Sequence, residues 1–457
     1  MKTLFIPVYH GMCTRNLFLT EMLPTILKQP DLRAVCFIPP LKKDFFAKEY
    51  GHFKNVIFES VDRKHKKNKL EFIFDFITKS FLNTQAKKSL QLIEYSSDRN
   101  KLRYLLGRLL ARVFSGSRVL RNLMRWLDYL LVSDTTFGPY FDKYQPNLVF
   151  VTDVLSPADT LFLKQAKRKK VPKIAMVRGW DNLTSKGVVR LKPDKIIVQT
   201  DLMKREAIEY ADMKDQDISI SGVPIFDYYV NYQPSAKEDF YKKIGVRPEY
   251  KIILFAPFFS HYQDSVKEII KHLDESINKG LFEEKLKILV RLPPSYNQEL
   301  GDYISNDNII YDRPGIQFPL NSYRKDWEFT KKDMQHLADS IHYSSVTINF
   351  ASTMTVDSAA LDKPIINIDF DAKSHDPTKI SIRYIYKNDH YQPVLAANCL
   401  KMARSKAELV EQINYYLKHP ESEKDGRSKI LKELVWKFDG RCSQRVGNYV
   451  LDYLNSL

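Results

Sequence analysis

Residues 349–370 read NFASTMTVDSAALDKPIINIDF, and the reading of the fold turns on this stretch. The β-branched run Val346–Phe350 predicts a buried parallel strand. It stops at Ala351-Ser352-Thr353, and a helix-forming run, Val356–Leu361, follows at once. Ser352 or Thr353 is placed to act as N-cap. The first N–H groups of a helix have no partner within it, and the helix dipole adds partial positive charge there. Strand, small polar turn and helix start together make a site for phosphate. Asp357 lies one turn beyond Thr353 on the same face, where a carboxylate can accept hydrogen bonds from a ribose. Pro364 and Ile365–Phe370 open the next strand. An ordinary capped strand–turn–helix has the same pattern, so the surrounding chain has to decide.

The rest of the second half alternates in the same way. Strands are expected at Lys251–Phe255, Ile288–Val290 and Asn308–Tyr311, and a helix at Asp333–Ser344, with Arg313–Asp326 an irregular loop. The loops after these strands offer Pro257, Arg291 and the turn Asp312–Gly315. Arg291 can fork onto phosphate oxygens, and a salt bridge at the strand end would use the same residue. Gly315 and its neighbours can hold a base against backbone. Asp369-Phe370-Asp371 has the spacing of a metal-binding carboxylate pair. It ends a strand of the second half, however, so metal-independent chemistry is expected and no metal ligand is assigned. The polar stretch Asp371–His390 is too long for a mere connector. Helices at Ala407–Leu417, Ser422–Phe438 and Cys442–Leu454 are expected to close the chain.

The first half predicts strands at Leu4–Val8, Arg33–Ile38, Val56–Val61, Leu148–Thr152, Lys173–Val177, Ile196–Gln199 and Ile218–Val223. Helices are predicted at Asn16–Lys28, Leu41–Tyr50, Lys69–Glu94, Ala158–Lys170 and Leu202–Tyr210. Such alternation argues for a parallel sheet covered on both faces. Ligands then sit beyond the carboxyl ends of the strands. That directs attention to Tyr9-His10-Gly11, to Asp153 and to Arg178–Gly187.

Residues 98–133 break the alternation. Leu102–Val132 is helical, apolar and basic, with Gly116 dividing two helices. Arg108, Arg112, Arg118, Arg121 and Arg125 alternate with leucines and Trp126. A basic amphipathic hairpin of this kind can lie on an anionic membrane surface. It can equally pack on its own domain with the arginines solvated or paired.

The chain has 457 residues, enough for two domains. An apolar fraction of 44% and a charged fraction of 28% fit a soluble globular protein. No run approaches the ~18 apolar residues of a membrane span, and Met1–Val8 reads as a first strand. Cys13, Cys36, Cys399 and Cys442 are scattered, which fits buried thiols in a reducing compartment. The net charge of +16 attracts an anionic partner without saying which.

The expected architecture is α/β, with two Rossmann-like lobes facing a central cleft. Residues 1–224 form an acceptor-binding lobe, 225–248 a linker, 249–440 a nucleotide-donor lobe and 441–457 a closing helix that returns to the first lobe. Four stretches resemble the glycosyltransferase-B superfamily, in particular bacterial surface-polymer enzymes related to the CDP-glycerol glycerophosphotransferases. They are Ile252–His261 (IILFAPFFSH), Val290–Pro294 (VRLPP), His336–Asp371 and Phe438–Tyr449 (FDGRCSQRVGNY). In the first half, Arg178–Gly187 (RGWDNLTSKG) sits where those phosphotransferases carry a histidine-glycine loop ending in a lysine-containing turn. The resemblance implies a nucleotide-activated donor and two lobes. The chain departs from it where Trp180-Asp181-Asn182 replace the loop histidine, where Val290–Pro294 lacks a histidine, and where Asn349-Phe350-Ala351-Ser352 replaces an Asp-Tyr-Ser-Ser turn.

Those departures favour sugar transfer from a nucleoside-diphosphate donor to a surface glycan or lipid-linked acceptor. The alternative is polyol-phosphate transfer of the CDP-glycerol type. Either way a leaving phosphate must be stabilised, for which Ser352, Thr353 and Arg291 are candidates. An inverting enzyme also needs a base, for which Asp181, His10 and His261 are candidates in that order. Trp180, Asn182, Lys186 and Gly11 are expected to meet the acceptor or a phosphate. No cofactor is expected beyond the nucleotide-sugar substrate. The expected location is cytoplasmic, peripheral on the inner face of the plasma membrane. A sugar-nucleotide epimerase would share the two lobes but needs no acceptor. A nucleic-acid binder would explain the charge but should line a groove with stacking aromatics, so no nucleic acid is expected.

Overall fold

The structure is a computed structural model that describes residues 1–62, 69–257, 262–295, 306–319, 325–372 and 380–457. It divides into one unit of Met1–Asp227 with Val435–Leu457 and a second of Tyr228–Leu434.

The first unit is built on β1 (Lys2–Pro7), β2 (Leu32–Ile38), β3 (Val56–Ser60), β4 (Leu148–Val151), β5 (Lys173–Met176), β6 (Lys195–Val198) and β7 (Ile218–Ile220). They form one parallel sheet in the order β3-β2-β1-β4-β5-β6-β7. β1, β2 and β4 are near-continuous apolar runs because helices cover both faces. Phe5, Phe37, Phe137 and Phe162 pack edge-on or tilted at the centre. The order reverses between β1 and β4, where two diverging crossovers open a crevice at the carboxyl edge. The helix Cys442–Asn455 belongs to this unit. Asp227 accepts from the backbone N–H groups of Cys442 and Ser443 at 2.8 and 2.7 Å.

The second unit holds β8 (Lys251–Ala256), β9 (Leu286–Arg291), β10 (Ile309–Asp312), β11 (Ile316–Pro319), β12 (Lys325–Glu328), β13 (Ser344–Asn349), β14 (Ile365–Ile368) and β15 (Lys401–Ala403). Six of them make a parallel sheet, β10-β9-β8-β13-β14-β15, which reverses between β8 and β13. β11 and β12 pair antiparallel, overlapping the stretch Arg313–Asp326 expected to be irregular. β15 was not anticipated from its three residues.

Three further differences have local causes. Residues 16–28 form two short helices, Gly11–Phe18 and Met22–Ile26, because Pro24 lacks an N–H and crowds the preceding turn. Lys69–Glu94 divides into Lys69–Ser80 and Gln85–Asp98, where the Thr84 hydroxyl caps the second helix by accepting from Lys87 N–H at 3.2 Å. The segment expected as a linker belongs mostly to the second unit. Tyr232 Oη donates to Asp339 at 2.6 Å, Tyr228 Oη to Gln335 at 2.7 Å, and Lys237–Ile244 is helical.

The basic hairpin is inverted relative to expectation. It forms the helices Lys101–Phe114 and Arg118–Leu131. Arg121 and Arg125 are buried rather than presented to lipid. Both grip Asp212, with Arg121 Nε 2.9 Å from Oδ2 and Arg125 Nη1 2.6 Å from Oδ2. Asp128, fully buried, takes Lys164 Nζ at 2.8 Å and Arg190 Nη2 at 2.6 Å. Burial pushes the Lys164 ammonium down to about 8 even with Asp128 beside it. Arg108 reaches Gln91 at 3.4 Å, while Arg112 and Arg118 stay exposed. Leu102, Leu105, Leu106, Leu109 and Val113 line one exposed stripe, and Val119, Leu123, Trp126 and Leu130 another. Asp128 and Asp212 decide this inversion, since a buried carboxylate must be matched by buried cations.

Candidate functional site

In the second unit, the turn after β13 lies at the reversal point of its sheet. The helix behind it is Met354–Ala360, starting two residues earlier than the sequence pattern suggests. Thr353 takes the N-cap position with helical backbone angles and no side-chain cap. The Ser352 hydroxyl fills that role, accepting from Met354 N–H at 3.3 Å. The Thr355 and Val356 amides turn back to Ser352 O and Thr353 O at 3.1 and 2.9 Å. First-turn amides expected to face a ligand are therefore used locally. What the turn presents outward is the half-buried Ser352 and the exposed Thr353.

A buried polar lattice fixes the turn from below. Thr355 Oγ1 is 3.1 Å from Asn349 Oδ1 and 3.0 Å from the Tyr391 hydroxyl, which Asn367 Nδ2 also contacts. Burial pushes the Tyr391 phenol well above its ordinary value, so it stays a neutral donor and acceptor. Asp357 is held by the hydroxyl of Tyr229 at 2.8 Å.

Arg291 ends β9, buried, and pairs with Asp312 at the end of β10. His336 Nε2 lies 3.2 Å from the other Asp312 oxygen. Burial raises the Asp312 carboxyl, but the His336 hydrogen bond and the Arg291 charge outweigh it and hold the group below the usual carboxylate range. Arg291 is thus in the ion pair weighed from sequence. Its Nη2 is nevertheless buried with no partner among the described residues. Gly315, at φ +79°, is needed for the close approach of Phe329 and Glu328. Its N–H donates to Asp333 at 3.1 Å, so the amide expected to meet a base is already taken. Pro257 is buried after β8, and His261 lies outside the described residues. Asp371 accepts from Ile382 N–H at 2.8 Å, which commits that carboxylate to its own loop. Burial raises the Asp369 carboxyl. Among the described residues no three His, Cys, Asp or Glu side chains cluster as a metal site.

In the first unit, the loops after β1 and β4 flank the reversal point, and β5 lies next to β4. His10 caps Gly11–Phe18, its Nδ1 accepting from Met12 N–H at 3.1 Å. That bond commits Nδ1 to capping the helix. Gly11 is buried at the helix start. Asp153 pairs with Arg178 Nη1 at 2.7 Å, their side chains 4% and 13% exposed. Asp159 accepts from the Asp153 N–H at 2.8 Å. Trp180 packs against the apolar core and is only half-buried, while Asp181 is half-buried with Ser185 Oγ 3.4 Å from Oδ2. Asn182 is buried with its Nδ2 unpartnered. Burial pushes the Lys186 ammonium below its ordinary value, while the Asp153 charge works the other way. Arg178 was missed as a site residue, although it opens the very loop singled out from sequence. Asp312, His336 and Tyr229 were also missed, because each acts through a partner distant in sequence.

The model of the CDP-glycerol:poly(glycerophosphate) glycerophosphotransferase family matches residues 47–452. The chain belongs to that family. A glycerophosphotransferase-family member with two parallel sheets is a GT-B-like protein, and solved structures agree on the fold. The wall teichoic acid polymerase TagF matches at TM-score 0.52 and 12% identity over 99% of this chain and 89% of that one. The UDP-bound MnaA of S. aureus matches at 0.54 and 12% over 100% and 98%. The UDP-GlcNAc 2-epimerase of Neisseria meningitidis matches at 0.55 and 11% over 99% and 100%. No curated protein matches the sequence. At these identities the structures speak for the fold alone. Among the described residues no helix is long and apolar enough to cross a membrane.

Proposed function

We propose that the protein transfers a polyol phosphate from a CDP-activated donor, of the CDP-glycerol kind, to the end of a polyol-phosphate acceptor. The family match over residues 47–452 carries this reading and favours it over sugar transfer. The acceptor hydroxyl oxygen attacks the donor phosphorus that bears the polyol. The bond to the bridging oxygen breaks, CMP leaves, and the hydroxyl proton passes to a base. Ser352, Thr353 and the unspent Nη2 of Arg291 offer donors to the leaving phosphate, and Asp357 accepts from the ribose. Asp181, half-buried on the acceptor side, is the base; His10, whose Nδ1 caps the following helix, instead orients the acceptor. Trp180, Asn182, Lys186 and Gly11 surround the acceptor. A thermal-shift panel of CMP, CDP, UDP and GDP tests the donor assignment, with cytidine nucleotides expected to stabilise most. Stabilisation by UDP alone would return the reading to sugar transfer.

Membrane attachment belongs to the same proposal, on a different chemical footing from the buried arginines. The exposed leucines, Val119 and Trp126 would enter the interface of an anionic bilayer, with Arg112 and Arg118 beside its headgroups.

A further inference from the structure

The loop after β5 contains more hydrogen-bond donors than the folded chain uses. Among the described residues only Nη1 of the Arg178 guanidinium is in an ion pair, with Asp153. Asn182, 2% exposed, has a buried Nδ2 with no partner among the described residues. The Lys186 ammonium makes no hydrogen bond or ion pair among them either, although Asp153, Arg178 and Asp181 all act on it through space. A buried amide N–H₂ left unpaired is costly. Such groups persist where a ligand satisfies them. They follow β5, next to β4 at the reversal of the first sheet, and Arg178 reaches Asp153 after β4, on the carboxyl edge where a parallel α/β sheet binds its ligands.

The charges around these donors narrow the ligand. Arg178 and Lys186 carry two positive charges, and Asp153, Asp159 and Asp181 carry three negative ones. Asp153 is spent on Arg178, and Asp159 accepts from a backbone amide. A dianion such as free phosphate would meet the Asp181 carboxylate at close quarters. A phosphodiester carries one charge, and its flanking hydroxyls can donate to that same carboxylate.

We propose that this loop binds the terminal phosphodiester of a polyol-phosphate chain. Arg178, Lys186 and the Asn182 amide hold its two anionic oxygens, and Asp181 receives a hydroxyl of the end unit. Asp153 acts as a positioning residue that fixes the Arg178 fork. The inference rests on the acceptor class proposed above and adds the part of the acceptor that is gripped.

The test uses the full chain and glycerophosphoglycerol as probe, with inorganic phosphate and glycerol as comparisons, by calorimetry. The probe is expected to bind about tenfold more tightly than inorganic phosphate, and glycerol not measurably. Arg178→Gln and Lys186→Gln should each weaken the probe by about tenfold or more while CDP-glycerol affinity stays unchanged. Arg178→Lys, which keeps the charge beside Asp153, should recover part of the loss and so separate ligand contact from loss of fold. No saturable probe binding, inorganic phosphate binding as tightly as the probe, or equal binding by wild type and both Gln variants would each overturn the proposal. Failure of the donor reading has a different signature, with the probe bound normally and CDP-glycerol not bound at all.

Discussion

Arg125 and Asp212, 87 residues apart in the chain, form a buried ion pair with Nη1 2.6 Å from Oδ2. Arg121 completes it from the preceding turn of the same helix. The hairpin is thereby held to the first unit by buried charge as well as by Leu110, Phe114 and Met124, which pack on Phe81, Leu82 and Val188. Removing the shared carboxylate would leave two buried guanidinium groups uncompensated. Asp212→Ala should cost about 3–5 kcal/mol of stability, the usual result of breaking a buried pair. Urea denaturation would measure it.

The same carboxylate predicts a pH dependence. Burial raises the Asp212 carboxyl, but hydrogen bonds from Arg121 and Arg125 prevail and hold it below the usual carboxylate range. Asp312 is held low as well, against its burial, by His336 and Arg291. For a group depressed on folding, the stabilisation is complete above the unfolded value and is lost as pH falls through the folded one. Neither group should therefore change stability between about pH 5 and 7, and both should contribute to a steep loss below about pH 4. Urea midpoints against pH would show this, and Asp212→Asn should flatten the acid limb.

Membrane binding should follow the leucines. Replacing Leu105, Leu109, Leu123 and Trp126 with serine should abolish flotation with anionic liposomes while leaving the melting temperature nearly unchanged, since these side chains are exposed. Each buried apolar side chain is worth about 1.5–3 kcal/mol in such transfers. Undiminished flotation would remove the membrane from the account.

The hairpin also shows what a sequence can and cannot disclose. The spacing of Leu102, Leu105, Leu106, Leu109 and Val113 specifies a helix with one apolar stripe, because residues three and four apart share a face. It does not say which face is inside. That was settled by Asp128 and Asp212, one on the opposite stripe and the other far along the chain. The strands were legible because parallel strands buried on both faces are continuous apolar runs, and the turn at Ser352-Thr353 followed from the strand–helix switch. The finer chemistry of that turn was not legible, since the Met354 amide chose the Ser352 hydroxyl over a ligand-facing direction. The Arg178–Asp153 pair joins two loops that only the strand order β1-β4-β5 brings together.

Donor binding should depend on the turn and on Arg291. Ser352→Ala and Asp357→Asn are each expected to weaken CDP-glycerol about tenfold, the scale of a lost hydrogen bond to a charged group. Arg291→Lys should do more, since a lysine cannot both pair with Asp312 and present a second N–H₂ group. Calorimetry on variants with unchanged melting temperature would measure all three.

The most direct test is the nucleotide released on turnover. Polyol-phosphate transfer breaks the bond between the polyol-bearing phosphorus and the bridging oxygen of the donor, so CDP-glycerol with a glycerol-phosphate primer should yield CMP and a primer longer by one unit, and Asp181→Ala should abolish both products while sparing donor binding. Release of a nucleoside diphosphate from a nucleotide sugar, with CDP-glycerol left intact, would contradict the account.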